Sequence, residues 1–179
     1  MRPKKVKAEI DYVLFIIDDR KVKKMLCESL FHGNFYHHKH RWEYYEAFNS
    51  QFPTREVLST VKGIIFPGAY FSAYQDLPWI HKLKDFIRMV HADFPLIKMV
   101  GICFGHQILS LALGGNVCRM QEYLKSISMP LYIGKEYIKI KDPDAFYSLP
   151  YVKRALKGIQ GPNPFVINCC HGDHVDALP

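Results

Sequence analysis

Runs of apolar residues alternate with amphipathic stretches along most of this chain. The run over 12–17, Tyr-Val-Leu-Phe-Ile-Ile, has no polar interruption. That is the pattern of a strand covered on both faces. Val22, Met25, Leu26 and Leu30 recur at helical spacing, which predicts a helix closed by Gly33. The His-rich, aromatic segment 31–40 reads as a loop, and the aromatic stretch 42–48 as a second strand. Thr54 is placed to cap a short helix reaching about residue 61. Gly63-Ile-Ile-Phe66 reads as a third strand, broken by Pro67-Gly68. A helix with Pro78 in its first turn then presents Trp79, Ile80, Leu83, Phe86, Ile87 and Val90 on one face. Phe94-Pro95 ends it, and 97–102 reads as a fourth strand. The next helix carries Ile108, Leu109, Leu111, Ala112 and Leu113 and stops at Gly114-Gly115.

Strands alternating with helices in this way predict an α/β fold: a mostly parallel central sheet flanked by helices, with right-handed crossovers. The last third changes character. Apolar and polar residues alternate over 132–141, as in an antiparallel strand or hairpin. A short helical turn is expected over 142–149, then a buried strand over 165–168 that ends at Cys169-Cys170-His171-Gly172-Asp173.

The candidate chemistry lies where the fourth strand meets its helix. Gly101-Ile-Cys103-Phe-Gly105 has the form of a nucleophile elbow, a tight strand-to-helix turn that holds a reactive side chain clear of the sheet. The flanking glycines let strand and helix approach closely. A cysteine in such a turn meets unpaired backbone N–H groups and the positive end of the helix dipole, which favour a thiolate.

Composition narrows the picture. The 179 residues suffice for one core, taken as a single domain over 11–179 behind a basic, flexible tail over 1–10. Apolar content of 49% and charged content of 23% are ordinary for a soluble protein, and no run is long enough to span a bilayer. The net charge of +7 is dispersed without interleaved aromatics, so neither nucleic acid nor membrane is expected as a partner. No signal-type apolar stretch follows the basic start, and a cytoplasmic location is expected. The five cysteines, Cys27, Cys103, Cys118, Cys169 and Cys170, have no framework spacing and no Cys-x-x-Cys. No disulfide framework, metal site or cofactor is expected.

Three segments together resemble one family, the class I glutamine amidotransferase domains (triad cysteine hydrolases). Gly63-Ile-Ile-Phe-Pro-Gly68 is similar to the family's oxyanion loop, and Gly101-Ile-Cys-Phe-Gly-His-Gln107 to its nucleophile elbow. His171-Gly-Asp-His-Val-Asp-Ala-Leu-Pro179 resembles its His-Gly-Asp-x-Val-x-x-Leu-Pro segment. Gly33-Asn-Phe35, the Trp42 strand and Asp76 through Trp79 echo the free-standing γ-glutamyl peptidases within that family. The resemblance implies a flavodoxin-like fold and a small-molecule substrate, glutamine or a γ-glutamyl compound. Cys103 would attack its amide and form a γ-glutamyl thioester. The N–H of Phe104 and one near Gly68 or Ala69 would stabilise the oxyanion. Gln107 would help hold the substrate, with backbone around Cys170, Gly172 and Asp173 near its head group.

Two departures stand out. The oxyanion loop reads Pro67-Gly68-Ala69-Tyr70 rather than the family's usual Ser-Gly before a Pro, which backbone donors tolerate. The sequence also ends at Pro179, and the family's His-Pro-Glu motif, which carries the general base, does not occur in it. His171 belongs to the earlier His-Gly-Asp segment. A C-terminal strand and helix are therefore expected to be missing, with a homodimer or another partner covering the edge they leave. The alternative to a hydrolase is a catalytically inactive protein that keeps the glutamine pocket for binding or regulation.

Overall fold

The computed structural model describes residues 9–17, 40–120, 132–137 and 166–179, together with 144, 148 and 150. Strand β1 (Tyr12–Ile16) is the apolar run, and Val13 through Ile17 are buried. It can be apolar on both faces because it lies inside the sheet. β1 pairs in parallel with β2 (Trp42–Glu46) on one side and β3 (Gly63–Phe66) on the other. β4 (Lys98–Gly101) continues the sheet beside β3, again parallel. The order is β2-β1-β3-β4. The chain thus builds outward from β1 in one direction and then in the other. The carboxyl ends of strands near such a reversal are where ligands gather in open α/β sheets.

Aromatic packing closes the core. Phe15 stacks on Phe66 with centroids 5.1 Å apart and 11° between planes, and meets Phe86 edge-on at 5.4 Å. Phe86 lies on helix α2 (Pro78–Asp93), which buries the predicted face of Ile80, Leu83, Phe86, Ile87 and Val90. The shorter helix α1 (Arg55–Leu58) opens as the sequence predicts, with Thr54 Oγ1 accepting the Val57 N–H at 3.3 Å. Helix α3 (Phe104–Ala112) follows β4 directly, and its Phe104, Ile108 and Ala112 join the same core. The Gly114 stop is real in conformation: its φ of 105° is one that L side chains rarely adopt.

Several boundaries differ from the sequence reading. The strand expected over 42–48 ends at Glu46, and Ala47–Asn49 turn into a 3-10 helix. Ser50, at φ 56°, donates its N–H to the Ala47 carbonyl at 2.8 Å and so closes that turn. Ile97 is not in β4, because its N–H bonds back to Phe94 at 3.0 Å. β6 (Tyr132–Tyr137) pairs antiparallel with β7 (Val166–His171), as the alternating pattern predicts. β7 does not stop at Cys169, since Cys170 and His171 stay in register with Ile133 and Tyr132. A further antiparallel pair, β5 (Asn116–Arg119) with β8 (Asp173–Ala177), was not foreseen. The helix expected over 22–30 and the loop over 31–39 lie outside the described residues. Of the turn expected over 142–149, Asp144 and Ser148 are described, and both are helical.

Two compact units make up the chain: Met1–Arg119 with Asp173–Pro179, and Met120–Gly172. The first holds the parallel sheet, α1 to α3 and the β5–β8 pair; the second holds the β6–β7 pair. Among the described residues no helix is long and apolar enough to cross a membrane. Among the described residues β4 forms one edge of the sheet, and Val100 (52%) on it and Ile102 (45%) just beyond it are exposed.

The entry to β1 is held by charge. Asp11 accepts Lys62 Nζ at 2.6 Å and the Arg41 N–H at 3.0 Å. The Lys62 hydrogen bond first, and the Arg41 N–H after it, hold the Asp11 carboxyl below its ordinary value of 3.8. A carboxylate depressed in the native state adds stability above its unfolded pKa and loses it as pH falls through the native value. Asp11→Asn is therefore expected to be less stable than wild type at neutral pH. The gap should close as the pH falls below the ordinary value of 3.8 and on through the lowered native one. Urea midpoints measured across that range check this, and a gap independent of pH would contradict it.

Candidate active site at the carboxyl ends of β3 and β4

Cys103 is the residue between β4 and α3, and its backbone is strained. Its φ of 54° and ψ of −112° lie far from any region an L residue prefers. Such a conformation costs on the order of 1–3 kcal/mol and persists only where its surroundings impose it. Here they do. Ile102 donates its N–H to the Phe66 carbonyl at 2.9 Å. Gly105 N–H is shared between the carbonyls of Pro67 at 3.1 Å and Ile102 at 3.0 Å, and Gln107 N–H reaches the Cys103 carbonyl at 3.1 Å. A Cβ on Gly101 would strike the backbone of Gly105 and His106, and one on Gly105 would strike the Phe66 carbonyl. The two glycines thus let β3, β4 and α3 converge, and the convergence turns Cys103 outward. The cysteine is exposed.

Gly68 lies against it. A Cβ there would sit 3.3 Å from Cys103 Cβ and 3.9 Å from Sγ, so the loop after β3 runs beside the thiol. The Phe104 side chain is fully buried and pins the first turn of α3. Among the described residues no acceptor takes the N–H of Gly68 or of Phe104. Two open backbone donors on either side of an exposed sulfur are the elements an oxyanion hole needs. Among the same residues no side chain bonds the Cys103 thiol.

The loop is braced by Asp173, from β8. Its carboxylate accepts the Ser72 hydroxyl at 2.6 Å and the Tyr74 hydroxyl at 3.0 Å. Burial pushes the Tyr74 phenol above its ordinary value; donation to Asp173 adds to this, and the Ser72 hydrogen bond opposes it. Phe71 packs edge-on against Trp79 at 5.2 Å, and Trp79 leans on Phe104 at 5.9 Å. Gln107 is buried, and its Nε2 donates to the Asp173 carbonyl at 3.1 Å. Its amide ties α3 to β8. Gly172 belongs to the other compact unit. Cys103, Gly68, Phe104, Gln107 and Asp173 therefore share one unit. Ser72 and Tyr74 were not singled out from the sequence. They sit in an irregular loop with no periodicity, and only their contact with a residue about a hundred positions later gives them a role.

A parallel sheet with a strained, exposed cysteine at the end of its fourth strand has the geometry of a nucleophile elbow on an α/β sheet. Residues 16–179 match the family model described as glutamine amidotransferase class-I, and the chain belongs to that family. It is 30% identical over 139 residues to γ-glutamyl peptidase 4 of Arabidopsis thaliana, covering 78% of this chain and 49% of that protein. It is 28% identical over 151 residues to γ-glutamyl peptidase 3 of the same plant, covering 84% and 55%. A putative glutamine amidotransferase-like protein of Schizosaccharomyces pombe is 42% identical over 72 residues, covering 39% and 29%. The chain spans about half the length of the two peptidases. Among solved structures, a glutamine amidotransferase from Thermotoga maritima superposes with a TM-score of 0.62 at 18% identity, covering 95% of this chain and 64% of that one. At that identity the likeness shows the fold, which is the mostly parallel sheet flanked by helices expected from the sequence.

Proposed function

We propose that this chain carries the nucleophile elbow of a γ-glutamyl hydrolase or amidotransferase. The observation that carries the reading is the exposed Cys103, held at positive φ between Gly68 and the open Phe104 N–H. Cys103 Sγ attacks the γ-carbonyl of glutamine or a γ-glutamyl amide. The carbonyl oxygen takes the negative charge and faces the N–H groups of Phe104 and Gly68. The C–N bond breaks, the amine leaves with the thiol proton, and a γ-glutamyl thioester remains. Water or a second amine then releases the acyl group and restores the thiol. These steps need an acid–base group within hydrogen-bond reach of the thiol and the leaving amine. The names of the relatives support the substrate class. Gln107 and Asp173 act here by positioning the loop that carries Gly68, with Gly172 at the start of the head-group segment. The exposed Val100 and Ile102 favour a protein partner, a second copy or another chain, along β4.

The second reading is a pocket that binds γ-glutamyl compounds without turnover. It is favoured by the absence, among the described residues, of any side chain bonded to the Cys103 thiol. One experiment separates the two. The chain is incubated with an electrophilic glutamine analogue and, in parallel, with γ-glutamyl dipeptides. A single adduct on Cys103, blocked by excess glutamine, together with continuing release of glutamate, supports the hydrolase. The same adduct without release supports the binding protein, and no adduct on Cys103 rejects both.

A further inference from the structure

We propose that Cys118, His174 and Asp176 form a binding site for a divalent ion of the zinc type. The site lies on the β5–β8 pair and is distinct from the elbow in residues and in chemistry. Cys118 on β5 stands directly opposite His174 on β8 in the antiparallel register. Asp176 has no partner of its own in that register, which shifts between Val175 and Ala177 as at a β-bulge, and its carboxylate lies close to the Cys118–His174 pair. Val117, the neighbour of Cys118, is buried on the other face. The three side chains therefore converge where solvent can reach, with Cys118 and His174 half-buried and Asp176 exposed.

The distances suit a metal. Cys118 Sγ lies 3.6 Å from His174 Nε2, and the three ligand atoms all lie within 4.8 Å of one another. Zinc bonds of about 2.3 Å to sulfur and about 2.0 Å to nitrogen, at a tetrahedral angle, place those two atoms roughly 3.5 Å apart. Nδ1 of His174 is buried, which leaves Nε2 as the nitrogen that faces the ion. Asn116 Nδ2 donates to one Asp176 carboxylate oxygen at 3.3 Å, which orients the group and leaves its other oxygen to bind. A thiolate, an imidazole and a carboxylate form a set that selects zinc-like ions over magnesium or calcium. Two anionic ligands also neutralise a doubly charged ion. On binding, the Cys118 S–H bond breaks, its electron pair forms the metal–sulfur bond, and the proton is released to solvent. Water takes the fourth position.

The test is a cobalt(II) titration of the purified chain under reducing conditions. A saturable thiolate-to-cobalt charge-transfer band, displaced by zinc, is expected. Cys118→Ser should abolish the band. His174→Ala and Asp176→Asn should weaken binding by about 10–100-fold, the range seen when even the outer partners of a metal site are lost. Cys103→Ala should leave the band intact, which keeps this result separate from the fate of the elbow. A band that survives Cys118→Ser overturns the site, as does a failure to bind saturably. Should Cys118→Ser not fold, the exposed Asp176→Asn decides the matter, and unchanged affinity in that variant overturns the site.

Discussion

Replacing Cys103 by alanine is expected to abolish covalent capture of an electrophilic glutamine analogue and to lower any γ-glutamyl turnover by at least about a thousand-fold. Removing the nucleophile of a hydrolase costs that much or more, because the remaining oxyanion donors and binding groups have no covalent intermediate to stabilise. The loss should be chemical rather than structural. Cys103 is exposed, so removing its sulfur empties no core volume. Alanine also still has to adopt φ 54°, so the backbone strain is retained rather than relieved. The thermal midpoint of Cys103→Ala should therefore stay close to wild type. Cys103→Gly should if anything rise, since glycine reaches that conformation without strain. Intact protein mass after labelling reads the first effect and thermal unfolding the second. Undiminished labelling of the alanine variant would remove Cys103 from the chemistry altogether.

Gly105→Ala is expected to be the most damaging small substitution at the site. Two effects of opposite sign compete. Alanine in place of glycine inside a helix is worth about 1 kcal/mol in α3. Against this, the new Cβ falls on the Phe66 carbonyl and lies 2.8 Å from Phe66 Cβ. Backbone atoms cannot rotate away as a flexible side chain would. Overpacking of this kind costs about 1–3 kcal/mol, more where the backbone itself must move. The clash should win, with a net loss of about 2 kcal/mol and a thermal midpoint lowered by roughly 4–8 °C. The same displacement separates α3 from the end of β3, so it should also slow labelling of Cys103. A neutral outcome would mean that β3 and α3 do not approach as closely as the structure has them.

The sequence made the central sheet legible because its signals are local. An unbroken apolar run such as 12–17 has few ways to be buried other than inside a sheet. The face of Ile80, Leu83, Phe86, Ile87 and Val90 can be buried only by a helix. Thr54 and Pro78 mark helix starts through their own bonding and ring geometry. The elbow was legible for the same reason: glycine, cysteine and glycine in five residues state a close approach and an exposed thiol together. The β5–β8 pair was not legible. Asn116–Arg119 is four residues long and half polar, and as a strand it is stable only through a partner more than fifty positions away. Gln107 shows the same limit. Its position in the elbow motif implies a substrate contact; its burial and the bond from its Nε2 to the Asp173 carbonyl, which joins α3 to β8, depend on the fold.

By itself, then, the sequence determined the α/β class, the membership signalled by the oxyanion loop, elbow and His-Gly-Asp segment, and the position of the elbow cysteine. These are written in residue types that have few alternative uses at those spacings. Tertiary structure alone decided that Gly68 stands against Cys103, that Asp173 holds Ser72 and Tyr74, and that Cys118 faces His174. The physical reason is that each of these contacts joins residues between about thirty-five and a hundred positions apart. Their energy depends on where the sheet places the chain, and no local pattern of apolar and polar residues encodes that.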